Sequence, residues 1–184
     1  MATNSVNLGR GNGDGMFYHA AENTALPAYP TAQLPTAWKE VGSVGEDGIT
    51  WALARDLDTI KNWAKKIERM LPSDDSETVQ APLISTTAEV MSVLFGEDAV
   101  TEENATTQHG NLFSVDVEND TIPGKEAFLF IGKDGEDTFM LGTTSGQLQA
   151  IDDADFDPAN PITWTATFAA DKWTFMKDDG QVTS

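Results

Sequence analysis

The stretch EAFLFIGKDGEDTFMLG, residues 126 to 142, constrains this chain more than any other. Two near-continuous apolar runs flank a turn in which Asp134-Gly135 supplies the positive-φ residues of a tight hairpin. Strands without a wet face are expected to be buried on both sides. The hairpin therefore predicts a sheet covered above and below, with the cover drawn from the rest of the chain.

Other segments carry the period of strands. NLFSVDVE (111–118) alternates Phe113, Val115 and Val117 with Ser114, Asp116 and Glu118, so one face is wet. PITWTATFAA (161–170) sets Ile162, Trp164, Ala166 and Phe168 against three threonines, and KWTFM (172–176) is expected to return beside it. GMFYHAA (15–21) and TVQAPLI (78–84) are shorter strands, the second despite Pro82. KEVGSV and ITWALAR flank GEDG, whose Asp47-Gly48 predicts a hairpin turn between them. In ENTALPAYPTAQLPTAW (22–38), Pro27, Pro30 and Pro35 exclude helix and ladder alike, which predicts a surface excursion. The clearest helix is TTAEVMSVLFG (86–96), with Thr86 and Glu89 as a capping box, an apolar face of Ala88, Met91, Leu94 and Phe95, and Gly96 as the stop. With 15 Gly and 8 Pro in 184 residues, long helices are excluded. The expectation is one mainly β domain over 16–178, an antiparallel sandwich or barrel of about eight strands with a short helix at its side. A Gly- and Asn-rich flexible arm (1–15) precedes it, and a short tail (179–184) follows.

Residues 56–71 are ambiguous. Ile60, Trp63, Ala64, Ile67 and Leu71 fall at amphipathic-helix spacing, and Pro72 with SDDSE is expected to break the chain after them. The same region gathers Arg55, Lys61, Lys65, Lys66 and Arg69, five of the chain's eleven basic residues. With three acids interspersed, residues 55–69 carry a net +2, while the rest of the chain carries −21. One reading is a solvated face laced with local ion pairs. The other is a contact patch for an acidic surface, the nearest being a second copy of this chain.

Charge and composition exclude much else. A formal net charge of −19 repels phosphate backbones and anionic headgroups, so tight DNA binding and membrane insertion are not expected. No window approaches a spanning helix, and the start lacks the apolar core of a signal peptide, so a soluble, cytoplasmically made chain is expected. The absence of cysteine removes disulfides, thiolate nucleophiles and Cys-rich zinc sites. GRGNGDG (9–15) matches no phosphate or dinucleotide loop. DDADFDP (152–158) starts like a calcium loop with Asp153, Asp155 and Asp157, but Pro158 stands where Gly is needed and Trp164 where Glu is. His19 and His109, ninety residues apart, are expected to be structural. The carboxylate pairs Asp74-Asp75 and Asp152-Asp153 are expected in polar loops, with nothing to desolvate them and split their pKa values. No catalytic residue, cofactor or metal is expected.

Several segments, in order, resemble the major tail tube proteins of long, non-contractile-tailed (siphovirus-type) bacteriophages. ALPAYPTAQLPTAWKEVGSVGEDGIT (25–50) looks like the opening of such proteins, TIKNW (59–63) is similar to a typical motif a few residues later, and TTAEVMSVLFG resembles their short helix. GQLQAIDDADFDPANPITWTATFAA also fits, so the resemblance covers roughly residues 16 to 178. It implies a non-enzymatic virion protein that forms hexameric rings stacked into a tube for DNA passage. The implied partners are further copies of itself, then tape measure, tail terminator and tail tip proteins. It also implies an extended hairpin where residues 56–71 look locally helical, and we favour the hairpin because sheet pairing between subunits overrides a propensity that a short segment cannot enforce alone. Arg55, Lys61, Lys65, Lys66 and Arg69 then become inter-subunit contacts, and the acidity becomes a lining that DNA does not stick to. The competing reading is an acidic β-sandwich that binds carbohydrate or cell surfaces, with Trp51, Trp164 and Trp173 as stacking platforms.

Overall fold

A computed structural model describes residues 10–11, 17–45, 47–61, 63–117, 122–134, 136–152, 154, 156 and 162–180. Among them are β1 (Arg10–Gly11), β2 (Phe17–Ala21), β3 (Lys39–Gly42), β4 (Thr50–Lys61) and β5 (Ile67–Leu83). Then come α1 (Ala88–Phe95), β6 (Val100–Glu103), β7 (Leu112–Val115), β8 (Glu126–Asp134), β9 (Asp137–Ile151), β10 (Trp164–Ala170) and β11 (Thr174–Asp178). Every strand pair is antiparallel, and the fold is mainly β with one short helix. The arm expected over 1–15 lies outside the described residues except for Arg10–Gly11, which pairs with Lys133 and Gly132 of β8.

The sheet runs β3-β2-β8-β9-β10-β5-β4, with β11 on β9. Its two ends are consecutive in the chain. Residues 43–45 carry the backbone from β3 across to the far edge of β5, where Val44 bridges Leu83, Gly45 N–H donates to the Pro82 carbonyl (2.7 Å) and Ile84 N–H to that of Ser43 (3.2 Å). The sheet therefore rolls into a barrel closed by this crossing. The expected hairpin across GEDG is not there: Gly48 does take a positive φ of 71°, but β3 pairs with β2 and β4 with β5. Turn chemistry bends the chain locally, whereas the partners are chosen by which edges the core brings together. For the same reason β11 returns beside β9, not beside β10 as expected. In the β8–β9 hairpin the closing pair is Asp134 with Asp137, so the loop is one residue later than the Asp134-Gly135 reading.

Burial of β8 on both faces, expected from its sequence, has a simple origin. Phe128 and Phe130 point into the barrel with Phe17, Phe168, Val79 and Leu83, while Ala127, Leu129 and Ile131 belong to a second apolar layer outside it. Phe17 and Phe130 stack at 4.5 Å and 6°. The outer layer is covered by the Pro-rich segment 22–38, through Trp38, Leu26 and Leu34. The segment is thus no mere excursion. Its prolines forbid regular structure yet let an irregular chain lie flat over a strand pair, and Gly142 leaves room for Leu26, whose Cδ2 would sit 2.7 Å from any added Cβ.

Helix α1 buries Val90, Met91, Val93 and Leu94 against the barrel core, and Gly96 (φ 96°) ends it. The apolar face is centred one residue away from the expected one, with Ala88 and Phe95 at its margins. The N-cap is Thr87, whose hydroxyl accepts from Val90 N–H at 3.3 Å. Thr86 serves elsewhere, accepting from Trp164 Nε1 (3.3 Å), so the capping box does not form. The alternating β7 pairs with β6, which the sequence did not announce, in a separate two-stranded sheet near α1. Among the described residues no helix is long and apolar enough to cross a membrane.

Candidate assembly surface

Beyond Glu77, the last β5 residue paired with β10, strands β4 and β5 continue as a ribbon that pairs only with itself among the described residues. It runs from the pair Ala54–Ser76 to the pair Lys61–Ile67, about 25 Å at the usual rise per residue. The helical spacing at 60–71 is overridden, and Pro72 with SDDSE does not interrupt the strand. Pro72 sits opposite Leu57 where the register shifts, leaving Ser73 unpaired in a bulge, one of the few positions in a ladder that tolerates proline. A segment this short cannot nucleate a helix that a partner strand would compete with.

The five basic residues are therefore distributed along one arm. Arg55 stands opposite Asp75, Arg69 opposite Ile60, and Lys61 opposite Ile67, while Lys65 and Lys66 are exposed in the turn. Lys65 adopts a positive φ of 61°, which closes the turn. At the tip Trp63 is 103% exposed, and Ile67 beside it is also exposed. Two-stranded ribbons are marginal in water on their own, and this one ends in an exposed tryptophan.

A cleft of about 350 Å³ opens on the barrel wall at the other end of β4, lined by Ile49, Trp51, Phe139 and Phe175 among others. Trp51 is 45% and Phe175 54% exposed. Gly132 forms part of the floor because the Phe139 ring lies where its Cβ would be, 2.4 Å from that position. Asp47 is the one charged residue in the described lining. Sequence named Trp63 only within a helical face and within TIKNW, and Trp51 only as a stacking platform; the cleft itself was not expected. A tryptophan amid Asn, Ala and Lys in NWAKK was the available signal, obscured by the helical spacing.

The remaining candidates resolve into structure. His19 is 3% exposed, and both ring nitrogens face carboxylates: Nδ1 lies 2.7 Å from Glu126 and Nε2 2.6 Å from Glu89. Two carboxylate acceptors require a donor at each nitrogen, so the imidazolium form is favoured. Burial pulls its pKa down, but the hydrogen bonds and charges of Glu126 and Glu89 outweigh that and raise it above 6.5. Lys39 reaches Glu89 (3.5 Å) and Glu97 (3.3 Å), completing a clamp that ties α1 to β2, β3 and β8. His109 lies at the surface, 3.8 Å from Glu103. Among the described residues no group of side chains could hold a metal; Asp153, Asp155 and Asp157 lie outside them. Asp152 accepts from Gln80 Nε2 (3.2 Å). Trp173 is buried in the core, and half-buried Trp164 packs edge-on against Phe95, so neither is a stacking platform.

A family model described as "Phage tail tube protein" matches residues 1–179. No curated protein matches the chain. Several solved chains are similar, among them two at low identity. One is a chain of an extracellular contractile injection system, the PVC sheath–tube complex in its extended state, 9% identical with a TM-score of 0.43 over 88% of both chains. The other is a chain of the anti-feeding prophage cap (AFP tube terminating cap), 10% identical with a TM-score of 0.45 over 96% of this chain and 97% of that one.

Proposed function

The chain belongs to the phage tail tube protein family, and from that premise we propose that it assembles as hexameric rings stacked into the tube of a long, non-contractile siphovirus-type tail, through which DNA is ejected. It is a structural protein of the virion tail and not an enzyme. The observation that supports self-assembly most directly is the β4–β5 ribbon, an arm with no strand partner of its own beyond Glu77 among the described residues.

The charge distribution gives the proposal its physics. With −21 outside residues 55–69, a tube wall presents carboxylates to the duplex, which then finds no site to bind and slides. Stacking such rings is opposed by their own repulsion. Arg55, Lys61, Lys65, Lys66 and Arg69 offset it by meeting acidic faces of neighbouring subunits. Tape measure, tail terminator and tail tip proteins are the further partners, and assembly takes place in the host cytoplasm before the tail joins the virion.

Negative-stain electron microscopy of the purified protein across a salt series tests this. Rings or hollow tubes that grow more abundant as salt screens the acidic faces are the expected result. Reversing Lys61, Lys65, Lys66 and Arg69 to Glu is expected to abolish them while the thermal transition stays in place. Normal tubes from that variant would overturn the role given to the basic arm.

A further inference from the structure

We infer that the tip of the β4–β5 ribbon is an aromatic plug, and that Trp63 of one copy seats in the cleft lined by Ile49, Trp51, Phe139 and Phe175 of a second copy. The inference rests on the tail tube reading and names the contact by which one subunit grips the next.

The argument starts from two exposed apolar features at opposite ends of one strand. Trp63 has no contact surface of its own, being 103% exposed, and the cleft is an open apolar site of about 350 Å³. That is room for an indole, and tryptophan is among the residues most enriched at interface hot spots, which sit in desolvated pockets. The cleft cannot be filled by the same molecule's tip. Trp51 and Trp63 are twelve residues apart, and an extended chain separates them by about 40 Å. Folding back would break the pairing of β4 with β5.

Charge selects the same occupant. Trp63 is followed by Lys65 and Lys66, both exposed, while Asp47 is the one charged residue among the described lining of the cleft. A cationic tip entering a site with an acidic lip, on a protein of net charge −19, has the complementarity that favours a second copy over an acidic stranger. Because tip and cleft are different surfaces, the contact is head-to-tail. Each docked copy leaves one free tip and one free cleft, so the interaction propagates.

The native chain has no cysteine, which makes the contact directly readable. Ala64→Cys at the tip and Thr50→Cys beside the cleft, which leave Lys65, Lys66 and Asp47 in place, combined in one chain and treated with a short bifunctional thiol reagent, are expected to give a ladder of dimers, trimers and higher species. Mixing the two single variants should stop at dimers. Adding Trp63→Ala to the double variant should lower the ladder's yield about tenfold or more, with Trp63→Phe retaining most of it. Trp63 is fully exposed in the monomer, so an unchanged thermal transition certifies folding. Tubes that form with no ladder would overturn the plug and leave the tube reading intact. A Trp63-dependent ladder without tubes would uphold the plug and overturn the tube. Neither ladder nor tubes would overturn both.

Discussion

His19 shows how much a single side chain decides here. Sequence offered only a lone histidine, for which a structural role was the expectation. What sequence could not show is that Glu89 and Glu126, 70 and 107 residues away, converge on its two nitrogens. No periodicity encodes a meeting of three elements. The pair of carboxylates holds the folded-state pKa above 6.5, and the sign of the consequence follows. At pH values below 6.5 the ring is protonated in folded and unfolded chains alike, and its contribution is fully present. As pH rises through the folded-state value the ring loses its proton and the contribution is lost. Chemical denaturation should therefore show stability falling on the alkaline side of pH 6.5, with Lys39 partly compensating the charge of Glu89. His19→Gln should cost about 1–2 kcal/mol at acidic pH, less than a fully buried pair because Glu89 and Glu126 stay partly solvated, and should flatten the pH dependence. A wild-type protein equally stable on both sides of that range would refute the clamp.

Elements were legible wherever their own side chains carry the signal. The two-sided burial of β8, the alternation of β7 and the position of α1 all follow from residues within the segment. Partners were not legible. Asp47-Gly48 makes a turn without making a hairpin, since β3 and β4 are held by β2 and β5. The ribbon was half legible: its spacing pointed to helix, and only strand competition decided otherwise. At α1 the difference between expectation and structure is one residue and is testable. Thr87→Ala removes the hydroxyl that accepts from Val90 N–H and should cost about 1 kcal/mol in urea denaturation. Thr86→Ala should leave the cap intact and cost less, because it removes only the contact with Trp164 Nε1. The reverse order would restore the capping box read from sequence.

For the whole molecule, the barrel's closure makes order of formation a structural property. The ribbon is a local hairpin and forms in about 1–10 μs. The barrel is not local: β2 pairs with β8 and β5 with β10 across roughly a hundred residues, a topology that folds in about milliseconds to seconds. Stopped-flow refolding should accordingly bury the core Trp173 in a phase far slower than ribbon formation, and a single fast phase would contradict this. The cleft belongs to the slow part. Its walls come from residues 47–51, from 130–141 and from Phe175 in β11, nearly the full span of the domain. A chain still being synthesised can show a tip long before it can show a receptor. If the plug proposed above is the contact, a receptor drawn from such distant segments acts as a proof of completion, and each growing end accepts newcomers only through subunits that have finished folding.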